Sequence, residues 1–429
     1  MKLNSTALTL VLASSCVAIA APAVAQMGQY GSSAPQQPKI VPPKQTEEAP
    51  TSGYKPNISN AARKEIVELQ TAVNAKDTAN IPAKVAAAQA KAKTKDDNYV
   101  IAQLQLKAAV DAQDNARIMS GVEAVLASGV LPAADTVPLY ISLGKMQFNA
   151  KAFDQASAAF EHALQIDPNN VDATVMLAET RNGQGRTAEA VTMIQKAIAT
   201  RVAAGQKPEE SWYKRAVALS FNAKLPSAPT LGREWVAAYP SPKNWRDTIR
   251  IYQTTSGLED VALIDTMRLA RATSALNGEN DYFRYANTLV SKGFPGEAKA
   301  VLDQGFAAKS IDKTRATFSQ LYALAASRSQ GDQASLAASA AAARSAADAK
   351  KAMTTAEAYY GYGDYAQAAE LLRVALTKPG VDKDLANLRL GMALAGAGDK
   401  AGATAALNAV GGAQTEIAKL WLTYVALKA

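Results

Sequence analysis

Two residue types that carry much of protein chemistry are nearly missing from this chain of 429 residues: there is one histidine, His162, and one cysteine, Cys16. That inventory excludes a His/Cys zinc site and a disulfide framework, and leaves a histidine-dependent triad only His162 to build on. Aromatic residues make up 6% of the chain, and no alternation of period two persists, so an all-β fold is excluded. Beyond the first 25 residues no window approaches the ~20 uncharged apolar residues of a membrane span. No Gly-rich phosphate loop, Walker motif or G-x-S-x-G elbow occurs. What remains is a 48% apolar, alanine-rich composition that favours helices. The formal charge is +8, with the basic residues spread along the chain and not gathered in a stripe. Loose attraction to anionic surfaces follows from that balance, and nucleic acid is not an expected partner.

The first 25 residues read as a secretory signal: Lys2, an apolar run from Leu8 to Ala20, and Ala23-Val24-Ala25 as an A-x-A cleavage site before Gln26. Export to the periplasm of a two-membrane bacterium is the expectation. A lipoprotein anchored at Cys16 is the alternative, although Ala13 stands where a lipobox has leucine and the apolar run continues past Cys16. Residues 26–57 hold Pro35, Pro38, Pro42, Pro43, Pro50 and Pro56 among Gln, Ser, Gly and Lys, the composition of a disordered tether.

From Ile58 onward the text is helical. Tyr140, Leu143, Gly144, Phe153, Ala156, Phe160, Ala163 and Pro168 form a pattern that returns downstream, with anchors at Gly144, Ala178, Ala216, Ile249, Ala286, Tyr322, Ala356 and Gly391, 33 to 38 residues apart. Each position has a mechanical reason. Small residues at Gly144 and Ala156 let two antiparallel helices approach, Leu143, Phe160 and Ala163 fill the seam, and Pro168 ends the second helix. The pattern resembles the tetratricopeptide repeat, including its closing Asp167-Pro168-Asn169-Asn170. That resemblance implies an all-α, right-handed α-solenoid of antiparallel helix pairs. It covers residues 137–411 well; residues 58–136 read as degenerate N-terminal repeats, and residues 412–429 hold a closing helix on Ile417, Leu420, Trp421, Tyr424 and Leu427. The unit around Ile249 is irregular, because Leu258–Ala275 reads as one longer helix.

Candidate chemistry is thin. His162 is rotated away from the apolar stripe and reads as solvated surface. Glu209-Glu210 and Glu259-Asp260 look like helix-start charges, and Glu47-Glu48 lies in the tether. No catalytic, metal-binding or cofactor-binding residue is expected, and the chain reads as a non-enzyme. Tyr359 and Tyr365 take normal core positions, which leaves Tyr360 and Tyr362 as candidates for exposed contacts.

In the family that the pattern resembles, the first helix of each unit lines a concave face that holds peptides or partner proteins. Carried onto this chain, the inward positions are Lys145, Phe148, Glu179, Asn182, Tyr213, Phe221, Lys243, Arg246, Arg250, Phe283, Asn287, Glu357 and Tyr360. Lys243, Arg246 and Arg250 make one locally basic helical face. The set lacks the Lys/Asn/Arg clamp for a C-terminal carboxylate. The expected function is a periplasmic scaffold holding protein partners in envelope assembly, secretion or polysaccharide export. A glycan- or peptidoglycan-binding superhelix, with or without cleavage by an opposed acid pair, is the alternative, an anionic polymer or glycan then filling the groove. A regulatory subunit of an outer-membrane machine is a third reading.

Overall fold

The computed structural model describes residues 54–256 and 260–428. The signal segment, Cys16, Glu47-Glu48 and most of the tether therefore lie outside the described residues. Among the described residues all regular structure is helical. The chain divides into two compact units, Met1–Leu219 and Ser220–Ala429.

Unit 1 is built from consecutive antiparallel helices that pack in pairs: α1 (Arg63–Asn74) with α2 (Ile81–Lys91), α3 (Lys95–Asp111) with α4 (Asn115–Ala127), α5 (Ala133–Asn149) with α6 (Phe153–Ile166), and α7 (Val171–Gly183) with α8 (Thr187–Ala203). The helix α9 (Glu210–Asn222) runs across the division. Local chemistry sets the starts. Thr94 and Asp97 form a reciprocal capping box on α3, and Asn170 accepts from the backbone N–H of Ala173 to open α7. Close packing of the α5/α6 pair depends on Gly144, where a methyl group would stand 2.7 Å from the ring of the fully buried Phe160.

Unit 2 continues with α10 (Ala228–Ala238), α11 (Pro242–Ser256), α12 (Asp260–Ala272), α13 (Gly278–Ser291), α14 (Pro295–Ala307), α15 (Ala316–Ser345), α16 (Lys350–Gly361), α17 (Tyr365–Leu376), α18 (Lys383–Ala397), α19 (Lys400–Asn408) and α20 (Thr415–Leu427). Asp364, Asp382 and Asp399 cap α17, α18 and α19, and Gly398 ends α18 at φ +85°, a left-handed position natural to glycine.

Two features of this unit depart from a plain run of helix pairs. The copy anchored at Tyr322 has no turn between its helices: α15 is a single helix of 30 residues. Its second half is a run of alanine and serine with no proline, and Gly331 alone does not stop a helix whose other residues favour continuing. The closing helix α20 packs on α18 and α19, as a cap would, and also on α10 and α12. The end of unit 2 therefore meets its beginning, sealed by the buried Trp421 in one apolar core with Val236, Trp245, Ile249, Tyr252 and Leu269. The longer helix read over Leu258–Ala275 is shorter in the structure: α12 ends at Ala272, and a turn with Ser274 at φ +57° follows it.

Candidate functional site

In unit 1 the inward positions fall on α5, α7 and α9. Lys145 is exposed, and Phe148 is half-buried edge-on against Phe153 with ring centres 5.6 Å apart. Glu179 is buried and accepts a bidentate pair from Arg215, at 2.8 Å from Nε and 2.7 Å from Nη2, so it joins α7 to α9. Asn182 accepts from the Thr187 hydroxyl at 3.2 Å, and Tyr213 is buried. His162 is exposed and stacks on Tyr140 at 5.2 Å. Of the candidate positions in this unit, Lys145 is the most open.

In unit 2 the basic face on α11 is largely occupied by the fold. Lys243 pairs with Asp247 at 2.8 Å along its own helix. Arg246 donates from Nε to the carbonyl of Ala275 at 2.8 Å, tying α11 to the segment after α12. Arg250 is half-exposed and stands 3.8 Å from Asp281. Phe283, 36% exposed, meets Phe318 edge-on, and Asn287 is exposed. Tyr362 donates its hydroxyl to Asp332 at 2.9 Å and is half-buried, so it serves α15 and not an open surface. Tyr360 is half-buried, edge-on to Tyr365, and its ring covers the guanidinium of Arg268 at 4.4 Å.

That last contact leads to a cluster that the sequence did not announce. Asp265 and Arg268 on α12, Glu297 on α14, Glu357 on α16 and Arg389 on α18 converge in the interior of unit 2. Their side chains are between 0% and 8% exposed. Arg268 grips Glu297 with Nε at 3.0 Å and Nη2 at 2.6 Å, and the same Nη2 lies 2.7 Å from Glu357. Arg389 Nε reaches Glu357 at 3.0 Å. The hydroxyl of Tyr285 donates to Glu297 at 2.6 Å, and burial beside that carboxylate pushes the phenol well above its ordinary range. Burial also pushes Glu357 upward, but Arg268 and Arg389 outweigh it and hold the carboxyl below its usual value. Paired charges in such a place are kept ionised by one another, because neither could stand there alone.

Signal for this cluster existed only in part. Glu357 and Tyr360 occupy inward positions of the repeat pattern, whereas Arg268 and Asp265 lie in the irregular copy and Glu297 lies on a second helix. The partners of Arg268 stand 29 and 89 residues away in the chain, Glu297 and Glu357.

A second grouping of polar and aromatic residues lies at the edge of the unit 2 core, with Tyr322, Phe306 and Lys299 half-buried and Lys313 exposed. Tyr322 on α15 meets Phe306 edge-on at 5.6 Å, and the ammonium groups of Lys299 and Lys313 stand 5.3 and 5.0 Å from its ring centre.

The described residues thus define an all-α protein of consecutive packed helix pairs, with a charged cluster buried in unit 2. The tetratricopeptide repeat is the family whose model matches, over residues 148–204, from the end of α5 through α8. No curated protein matches the chain. Among the described residues no helix is long and apolar enough to cross a membrane.

Proposed function

We propose that this protein is a non-enzymatic scaffold of the periplasm, exported by a cleaved signal and holding segments of other envelope proteins on its first-helix faces. The observation that carries the reading is the tetratricopeptide repeat at residues 148–204, an architecture whose common use is to present helix faces to peptides. The exposed Lys145 and the polar Asn182 on α5 and α7 lie within or beside that segment. Envelope assembly, secretion and polysaccharide export are the processes in which such a holder fits. In-cell crosslinking followed by mass spectrometry tests it: recurrent links from α5 and α7 to envelope proteins are expected, together with a mature chain that begins at Gln26. Links confined to cytoplasmic proteins, or an intact Met1, would overturn the reading.

A second reading, an anionic polymer or glycan as the partner, is favoured by Tyr322 with its two flanking lysines and Phe306, since a ring beside ammonium groups suits both stacking and charge. Loss of polymer retention by Tyr322→Ala with unchanged crosslinks to protein would support it.

A further inference from the structure

The charged cluster inside unit 2 does not balance. Three carboxylates, Asp265, Glu297 and Glu357, face two guanidiniums, Arg268 and Arg389. The shortfall has an address. Glu297 and Glu357 hold their arginines at 2.6 to 3.0 Å, whereas Asp265 stands 3.6 Å from both Arg268 Nη1 and Arg389 Nε. Neither oxygen of Asp265 accepts a hydrogen bond from a described residue, although the side chain is 1% exposed. The charged groups that act on it are Arg268 on its own helix, Glu297 on α14, Glu357 on α16 and Arg389 on α18, with Tyr285 of α13 on Glu297 and Tyr360 of α16 over Arg268. Tyr252 on α11 feels the charge of both Asp265 and Glu416 on α20. The cations that act on Asp265 are Arg389 and Arg268; Arg271, further along α12, acts on Tyr360 and donates to Gln304.

We infer that Asp265 is a built-in proton acceptor, and that taking up one proton neutralises the cluster and tightens unit 2 as the surroundings turn mildly acidic. An ionised carboxylate without protein donors in a buried site is costly, and a carboxylic acid in the same place is much less so. Burial pushes the Asp265 carboxyl upward, Arg389 and Arg268 oppose the push, and repulsion from Glu357 and Glu297 adds to it, leaving the group at about 6. The sign follows from linkage. A group whose folded value lies above its unfolded value, here 3.8, binds its proton more tightly in the folded chain. Stability from this source is therefore present at acid pH and lost as pH rises through about 6. Asp265 lies on α12, one of the helices that α20 packs on, and its charge is felt by Tyr252 in the apolar core that α20 closes. An exported protein meets pH changes of the medium directly; the chemistry of the switch does not depend on that location.

The test compares the wild-type chain with Asp265→Asn, an uncharged carboxamide of the same size. Thermal melting is followed at several pH values between 5 and 8, roughly the span over which such a group would change charge. The wild type is expected to gain several degrees relative to Asp265→Asn as pH falls across that span, and the variant is expected to melt higher than the wild type at the alkaline end. Parallel curves would overturn the inference. Should the variant fail to fold, carbon NMR of the wild-type carboxyl groups decides instead. An aspartate resonance that titrates in the mildly acidic range and vanishes from that range in Asp265→Glu supports the assignment. Titration of every aspartate at or below the ordinary carboxylate range overturns it.

Discussion

One hydrogen atom on the Cα of Gly144 sets how closely α5 and α6 meet. Any larger side chain must displace the ring of Phe160, which is fully buried. Gly144→Ala is expected to lower the stability of unit 1 by about 1–3 kcal/mol, the usual range for overpacking, although alanine favours the helix itself. A urea midpoint equal to or above that of the wild type would show that the helices can separate at little cost. Asp97 controls another junction by polarity. Its buried carboxylate accepts from the backbone N–H groups of Ser59, Lys93 and Thr94 and from the Ser59 hydroxyl. Burial pushes this carboxyl upward, but those donors win and hold it at about 2. Its folded value lies below the ordinary 3.8, so its contribution is complete above that pH and is lost as pH falls toward 2. Asp97→Asn is expected to cost about 2 kcal/mol at neutral pH and progressively less in acid, where the wild type loses the same interactions. An equal gap between the urea midpoints of wild type and variant at pH near 6 and near 3 would refute this, and the direction is opposite to that of Asp265.

Helices and their spacing were the most legible level of the sequence, for a physical reason: a helix pair is specified by residues close together in the chain. The Gly144, Phe160 and Pro168 pattern gave the α5/α6 unit and its end, and Thr415–Leu427 gave α20 from its apolar spacing. The pattern misled at Tyr322, because repeat spacing implies a helix pair there and nothing local reveals that the alanine-rich stretch continues unbroken as α15. The candidate groove was legible only as positions. Repeat spacing says which side of a helix a residue takes, but not that Arg246 is tied to the Ala275 carbonyl or that Tyr360 covers Arg268. The charged cluster was legible only in the inward positions of Glu357 and Tyr360, because it joins four helices mainly through pairs distant in sequence. Its weight can be measured at one side chain. Arg268→Ala leaves Glu297 and Glu357 buried with their main counter-charge removed and is expected to destabilise unit 2 by about 3–5 kcal/mol. A loss below about 1 kcal/mol, the range of surface ion pairs, would mean that water enters the cluster freely.

On the scale of the molecule, stability in repeat architectures is a sum over units and their neighbours, so damage should spread through contacts and stop where they end. The division at Leu219 and Ser220 makes that expectation specific. Trp421 on α20 is buried in the core shared with α10, α11, α12, α17, α18 and α19, and its removal leaves a large cavity where the end of unit 2 meets its beginning. Trp421→Ala is expected to cost about 3–5 kcal/mol, the range for emptying a buried aromatic site. Its footprint in hydrogen exchange is the sharper readout, since local opening reports which helices share a cooperative unit. Amides of α10, α12, α18 and α19, the helices that α20 touches, are expected to exchange faster in the variant, while those of α5 to α8 keep their wild-type rates. Acceleration confined to α18 and α19 would mean that α20 is an ordinary terminal cap whose contacts with α10 and α12 carry no energy. Acceleration reaching α5 to α8 equally would mean that the two units unfold as one.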